Sequence, residues 1–120
     1  MDNSNENIVV LVTASNETEG AKLAKQIIEK RLAACVNLVP TIRSFFWWQG
    51  RIDEQAETLL AIKTAPRLLN ELIATVQAHH SYQVPEIIAL PIVAGAANYM
   101  EWLNGELKPI TDCENGNGRL

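Results

Sequence analysis

From Ile8 to Ala14 every residue except Thr13 is apolar, several are β-branched, and Ser15-Asn16 breaks the run. Such a continuous stretch followed by a turn signal predicts a central strand buried on both faces. The next apolar residues, Leu23, Ala24, Ile27, Ile28 and Leu32, recur at helical intervals. Asn16 and Glu19 ahead of them have the N-cap and N3 spacing of a capping box, so a helix follows the strand. Lys30 and Arg31 then fall in its last turn, where cations complement the helix dipole.

Strand-favouring residues return from Cys35 to Trp48, Gln49-Gly50-Arg51 supplies a turn, and a second run goes from Ile52 to Thr64. The pattern is a long β-hairpin. Pro40 has no N–H for a ladder and predicts a bulge or an edge position. Pro66 suits the first turn of a second helix, whose stripe is Leu68, Leu69, Leu72, Ile73 and Val76 and whose end falls near His79 or His80. A last strand is expected over Glu86 to Val93. Asn98 with Glu101 repeats the capping-box spacing and predicts a short helix carrying Tyr99, Trp102 and Leu103 as far as Gly105.

The order β-α-β-β-α-β plus a short terminal helix predicts an α+β, ferredoxin-like sandwich, a four-stranded antiparallel sheet with two helices on one face. Residues 8–108 make the single domain. Residues 1–7 and 109–120 are polar and expected to be flexible. In the hairpin, alternation sends Phe45 and Trp47 to one face and Phe46 and Trp48 to the other. Helices can cover only one of these faces, so the four aromatics are candidates for an interface with further copies of the chain. Strands of roughly thirteen residues also exceed the usual five or six, which predicts a hairpin that projects and pairs outside its own domain.

The 120 residues, 48% of them apolar, suffice for a core without disulfide or metal staples. A net charge of −4 and the absence of a basic run argue against nucleic acid as a partner. The polar opening and the shortness of the Ile8–Val12 run argue against a signal peptide or membrane span, and the expected location is cytoplasmic. Cys35, between Ala34 and Val36, reads as a small buried residue or as a thiolate ligand; Cys113 lies in the polar tail, and no bridge between them is expected. No phosphate-cradling glycine loop, HExxH, CxxC or nucleophile elbow occurs, so the chain is not read as an enzyme.

The densest chemistry is His79-His80-Ser81-Tyr82-Gln83-Val84-Pro85-Glu86 at the junction between second helix and last strand. Imidazole and carboxylate are ligands for borderline divalent metals, and His79, His80 and Glu86 are the candidate set. The plainer reading makes the histidines helix C-terminal caps and Glu86 a satisfied carboxylate. Adjacent helical residues point ~100° apart, so one histidine with Glu86 and a group from a second subunit is the more feasible site. Asp53, Glu54 and Glu57 read as a solvated hairpin edge.

Several words of the sequence resemble the CutA family over nearly all of residues 8–108. They are Leu32-Ala33-Ala34-Cys35-Val36-Asn37 with Pro40; Ser44, Trp48 and Gly50; Glu57 with Leu60 and Lys63-Thr64; His80 with Tyr82 and Pro85-Glu86-Ile87; and Tyr99 with Trp102-Leu103. The resemblance implies a homotrimer packed through its sheets in the manner of the PII signalling proteins, with clefts at subunit boundaries. It also implies binding of copper or other divalent cations and a role in cation tolerance. His79 and Glu86 match positions proposed as ligands in copper-binding members, whereas a thiol of those members is matched by Val12. Phe46 and Ser81 replace the family's usual Tyr and Pro. The alternative expectation is a PII-like sensor whose intersubunit cleft, around Trp48, Glu57, Lys63, Tyr82 and Glu86, binds a small molecule or anion.

Overall fold

A computed structural model describes residues 6–110, and the expected tail flexibility and Cys113 lie largely outside that range. Strands β1 (Asn7–Ala14), β2 (Cys35–Trp48), β3 (Arg51–Thr64) and β4 (Ile87–Ile92) form one antiparallel sheet in the order β2-β3-β1-β4. Helices α1 (Glu17–Glu29), α2 (Leu69–His79, entered through a 3-10 turn at Pro66–Leu68) and α3 (Ala97–Glu106) complete it. This is the ferredoxin-like arrangement that the pattern predicts. Among the described residues no helix is long and apolar enough to cross a membrane.

Val10, Val12 and Ala14 of β1, with Leu60 and Ile62 of β3, face the helices and pack against Leu23, Ile27, Leu72, Val76 and Leu103. A Leu-to-Ala change in such a core costs about 2–5 kcal/mol, so this layer fixes the frame. The helices come close to the sheet. A Cβ on Gly20 of α1 would lie 3.0 Å from Thr58 Cγ2 of β3.

Local details differ from the expectation in instructive ways. Strand β1 starts at Asn7, inside the segment expected to be flexible, because the Asn7 side chain is buried and donates to Thr64 O (3.1 Å) and Asn104 Oδ1 (2.9 Å). Helix α1 stops at Glu29, before Lys30 and Arg31. Arg31 takes a left-handed φ of 56°, and Leu32 N–H returns to Ile27 O at 3.0 Å, a Schellman-type end. Helix α3 starts after Ala96 and has no side-chain cap, so the Asn98–Glu101 spacing is not a capping box.

The hairpin is as long as expected, fourteen residues in each strand, and Gln49 and Gly50 both have positive φ (50° and 78°). Two left-handed residues in succession match the right-handed twist of the flanking strands. A bulge interrupts the register: Val39 pairs with Leu59 and the next aligned pair is Ile42 with Glu57. Pro40 lies inside it, and its carbonyl accepts from Thr58 Oγ1 at 2.7 Å. Before the bulge the even-numbered Val36 and Leu38 pack on the core; after it the even-numbered Ser44, Phe46 and Trp48 pair with Gln55, Asp53 and Arg51 on the opposite, open face. At the tip the helices cover neither face, since Phe45, Trp47 and Trp48 are 61%, 72% and 52% exposed.

Candidate functional site

The segment between α2 and β4 is held from three sides. Glu19, at the start of α1, accepts from Ser15 N–H (2.8 Å) and Ser15 Oγ (2.7 Å) through one oxygen and from Ser81 N–H (2.7 Å) through the other. Partial burial alone would raise its pKa, but the bonds from Ser15 and Ser81 outweigh it and hold the carboxyl down at about 2. The N-cap half of the expected box is present, with Glu19 N–H donating to Asn16 Oδ1 at 2.8 Å. Its carboxylate, however, serves Ser15 and the distant Ser81.

The two histidines have different duties. A carbonyl can only accept, so the 2.9 Å contact from His79 Nδ1 to Thr75 O places the proton on Nδ1 and leaves the Nε2 lone pair of this exposed ring free. That is the tautomer a metal-binding histidine needs, with its second nitrogen anchored to backbone. His80 Nε2 donates to Thr13 O at 2.7 Å while Nδ1 accepts Tyr82 N–H at 3.0 Å. Its side chain is fully buried, and no lone pair remains for a metal. His80 is therefore a structural bracket and drops out of the candidate ligand set.

The bracket sets Tyr82 in place. Its ring lies 4.7 Å from that of His80, and its hydroxyl donates to Glu57 Oε2 at 2.7 Å. Burial first, then the hydrogen bond and charge of Glu57 and the charge of Glu19, push the phenol above its ordinary range. Glu57 is 7% exposed, on the face of β3 turned away from the helices, so it is not the solvated edge residue expected from sequence.

Around this pair lies a cleft of about 710 Å³ lined by Thr13, Ser44, Phe45, Phe46, Trp48, Asp53, Gln55, Glu57, Tyr82, Gln83, Val84 and Glu86. The structure thus brings Trp48, Glu57, Tyr82 and Glu86 together. Lys63 is not part of it: it lies six residues along β3 from Glu57, about 20 Å, where its Nζ meets Asn37 Oδ1 opposite Cys35. Arg43 lies outside it too, pairing with Glu54 at 2.6 Å and lying over Phe45. Asp53 and Gln55 were hidden in sequence, although their period-two spacing from Glu57 places all three on one face.

Cys35 is half-buried at the start of β2 rather than enclosed. The neighbouring Tyr99 phenol is pushed up by burial and by this thiol. Val12 is fully buried against the helices and offers no ligand atom. Among the described residues no three of His, Cys, Asp or Glu are grouped to hold a metal ion within one chain.

An interleaved ferredoxin-like unit with an extended hairpin and one uncovered sheet face defines a class of small α+β proteins. Residues 8–106 match the family described as CutA1 divalent ion tolerance protein, and the chain belongs to that family. It is 50% identical over 101 residues to rice protein CutA 1, covering 84% of this chain and 57% of that one. It is 46% identical over 95 residues to the divalent-cation tolerance protein CutA of Thermus thermophilus, covering 79% and 92%. The chain thus spans little more than half the length of the rice protein and of its Arabidopsis relative (56%). Crystal structures agree: CutA1 of rice superposes with a TM-score of 0.84 at 50% identity over 86% of this chain and 94% of that one. The Thermus thermophilus protein gives 0.83 at 43% identity, over 85% and 99%.

Proposed function

We propose that this chain works as a homotrimer that binds divalent cations, copper or zinc among them, at sites shared between subunits, and that it serves cation tolerance without catalysing a reaction. The observation that carries the reading is the uncovered sheet face. Val39, Ile88 and Leu90 are 41%, 50% and 45% exposed on it, beside half-buried Val9 and Leu11. An apolar face of that extent belongs against another subunit. His79, through its free Nε2, and Glu86, exposed just ahead of β4, are the ligands this chain would contribute, and a second subunit would complete the set. The chain's membership of a family described by divalent ion tolerance supports the cation reading.

Calorimetric titration of chelator-stripped protein with Cu(II) and Zn(II), beside a His79→Ala/Glu86→Gln variant of the same oligomeric state, tests it. Saturable binding that weakens at least tenfold in the variant is expected. Binding unchanged in the variant would remove these ligands, and no binding would remove the cation role. A second reading, a PII-like small-molecule sensor, is favoured by the aromatic cleft around Tyr82 and Glu57.

A further inference from the structure

We propose that Glu19 is a positioning residue for the cation site: it hydrogen-bonds to neither His79 nor Glu86, but through Ser81 it sets how the two stand relative to each other. The inference rests on the cation reading and deepens it. Helix α2 ends at His79, and Glu86 stands one residue ahead of β4. Both ligands therefore lie where the regular backbone bonding of their elements runs out. Their relation depends on residues 80–85 between them.

Hydrogen bonds hold that stretch at His80, Ser81 and Tyr82. His80 Nε2 donates to Thr13 O at 2.7 Å, Tyr82 N–H to His80 Nδ1 at 3.0 Å, and the Tyr82 hydroxyl to Glu57 at 2.7 Å. These bonds tie the connection to β1, to itself and to β3. Ser81 N–H donates to Glu19 Oε2 at 2.7 Å and ties it to α1. Without Glu19 the middle residue of the three loses its acceptor.

Glu19 serves this tie beyond the needs of its own helix. The N3 glutamate of a capping box turns back to the N-cap N–H. Here Asn16 Oδ1 caps Glu19 N–H unaided, Ser15 N–H and Oγ pin one carboxylate oxygen at 2.8 and 2.7 Å, and the other oxygen is left to Ser81. A carboxylate pinned through one oxygen presents the other at a fixed place. Its side chain is 15% exposed, so little water competes for it. Ligands held in their bound arrangement before the ion arrives lose less freedom on binding, and groups that orient metal ligands from behind carry this effect.

The test is a double-mutant cycle in the Kd for Zn(II), read by calorimetric titration of the chelator-stripped full chain. Glu19→Gln turns one oxygen into an amide donor, so Ser15 and Ser81 can no longer both be served. Ser81→Pro removes the N–H, and His80 before it is already extended (φ −85°, ψ 145°), as a residue preceding proline must be. Glu19→Gln should weaken Zn(II) binding about threefold to tenfold in the wild-type background and change it less than about twofold in the Ser81→Pro background. Leu103→Val lowers stability from α3, which bonds to the opposite end of β1 through Asn104 and Asn7, and should leave the Kd unchanged. An unchanged Kd in Glu19→Gln, the same loss in both backgrounds, or an equal loss in Leu103→Val overturns the proposal. His79→Ala/Glu86→Gln is titrated beside them. If that pair weakens binding and Glu19→Gln does not, positioning fails and the cation reading stands; binding indifferent to the pair removes the ligands themselves and the proposal with them.

Discussion

Glu19 joins three segments that are distant in sequence: the end of β1, the first turn of α1 and the α2–β4 connection. Its carboxyl falls from an ordinary 4.5 to about 2 on folding, so its contribution is full above pH 4.5 and disappears as pH drops through 2. Glu19→Gln should therefore cost about 2 kcal/mol in urea unfolding at neutral pH, and the gap to wild type should narrow at pH 2.5. A gap independent of pH would show that the charge is not what holds the connection. The spacing from Asn16 made Glu19 visible as a helix-start residue. Its second partner was not legible, because Ser81 is brought near only by the fold. The same holds for His79 and His80, adjacent in sequence and equivalent there, which the carbonyls of Thr75 and Thr13 make unequal.

At the scale of elements, each strand and helix followed from apolar period and breakers, including the bulge at Pro40. What periodicity could not give was the helix ends: Arg31 in a left-handed conformation and the uncapped start of α3 are set by backbone bonds and carry no side-chain signature in the sequence. Nor could it locate Lys63. Strand alternation puts Lys63 on the same face as Glu57, but the length of β3 separates them. The bulge is held by one buried hydroxyl, that of Thr58, on Pro40 O. Thr58→Val keeps the shape and removes the donor, and should lower stability by about 1 kcal/mol, read as a shift in urea midpoint with an unchanged slope. A changed slope would instead indicate loss of the hairpin's compactness.

For the whole molecule, the four-strand, three-helix frame covers one sheet face with helices and leaves the other apolar and open. If that face packs against further copies, Ile88→Asp/Leu90→Asp should sediment as a monomer at micromolar concentration while keeping its far-UV circular dichroism. A trimer that survives the double substitution would move the interface elsewhere, most plainly to the hairpin tip with Phe45, Trp47 and Ile52. Chain alternation had already indicated that one aromatic row lacked cover; the length by which the tip outruns the helices leaves both rows without it.

The extra residue in β2 acts as a switch of parity. Toward the helices the strand obeys the needs of the core; beyond Pro40 the same odd and even positions answer to a different neighbour. Substitutions in the outer half can retune the cleft without touching a core contact. Loss of a single residue at the bulge would instead exchange two rows of side chains at once, putting Phe45 and Trp47 where Ser44 and Phe46 now stand. The hairpin is thus two texts printed on one ribbon, tolerant of spelling changes in the second and intolerant of a dropped letter between them.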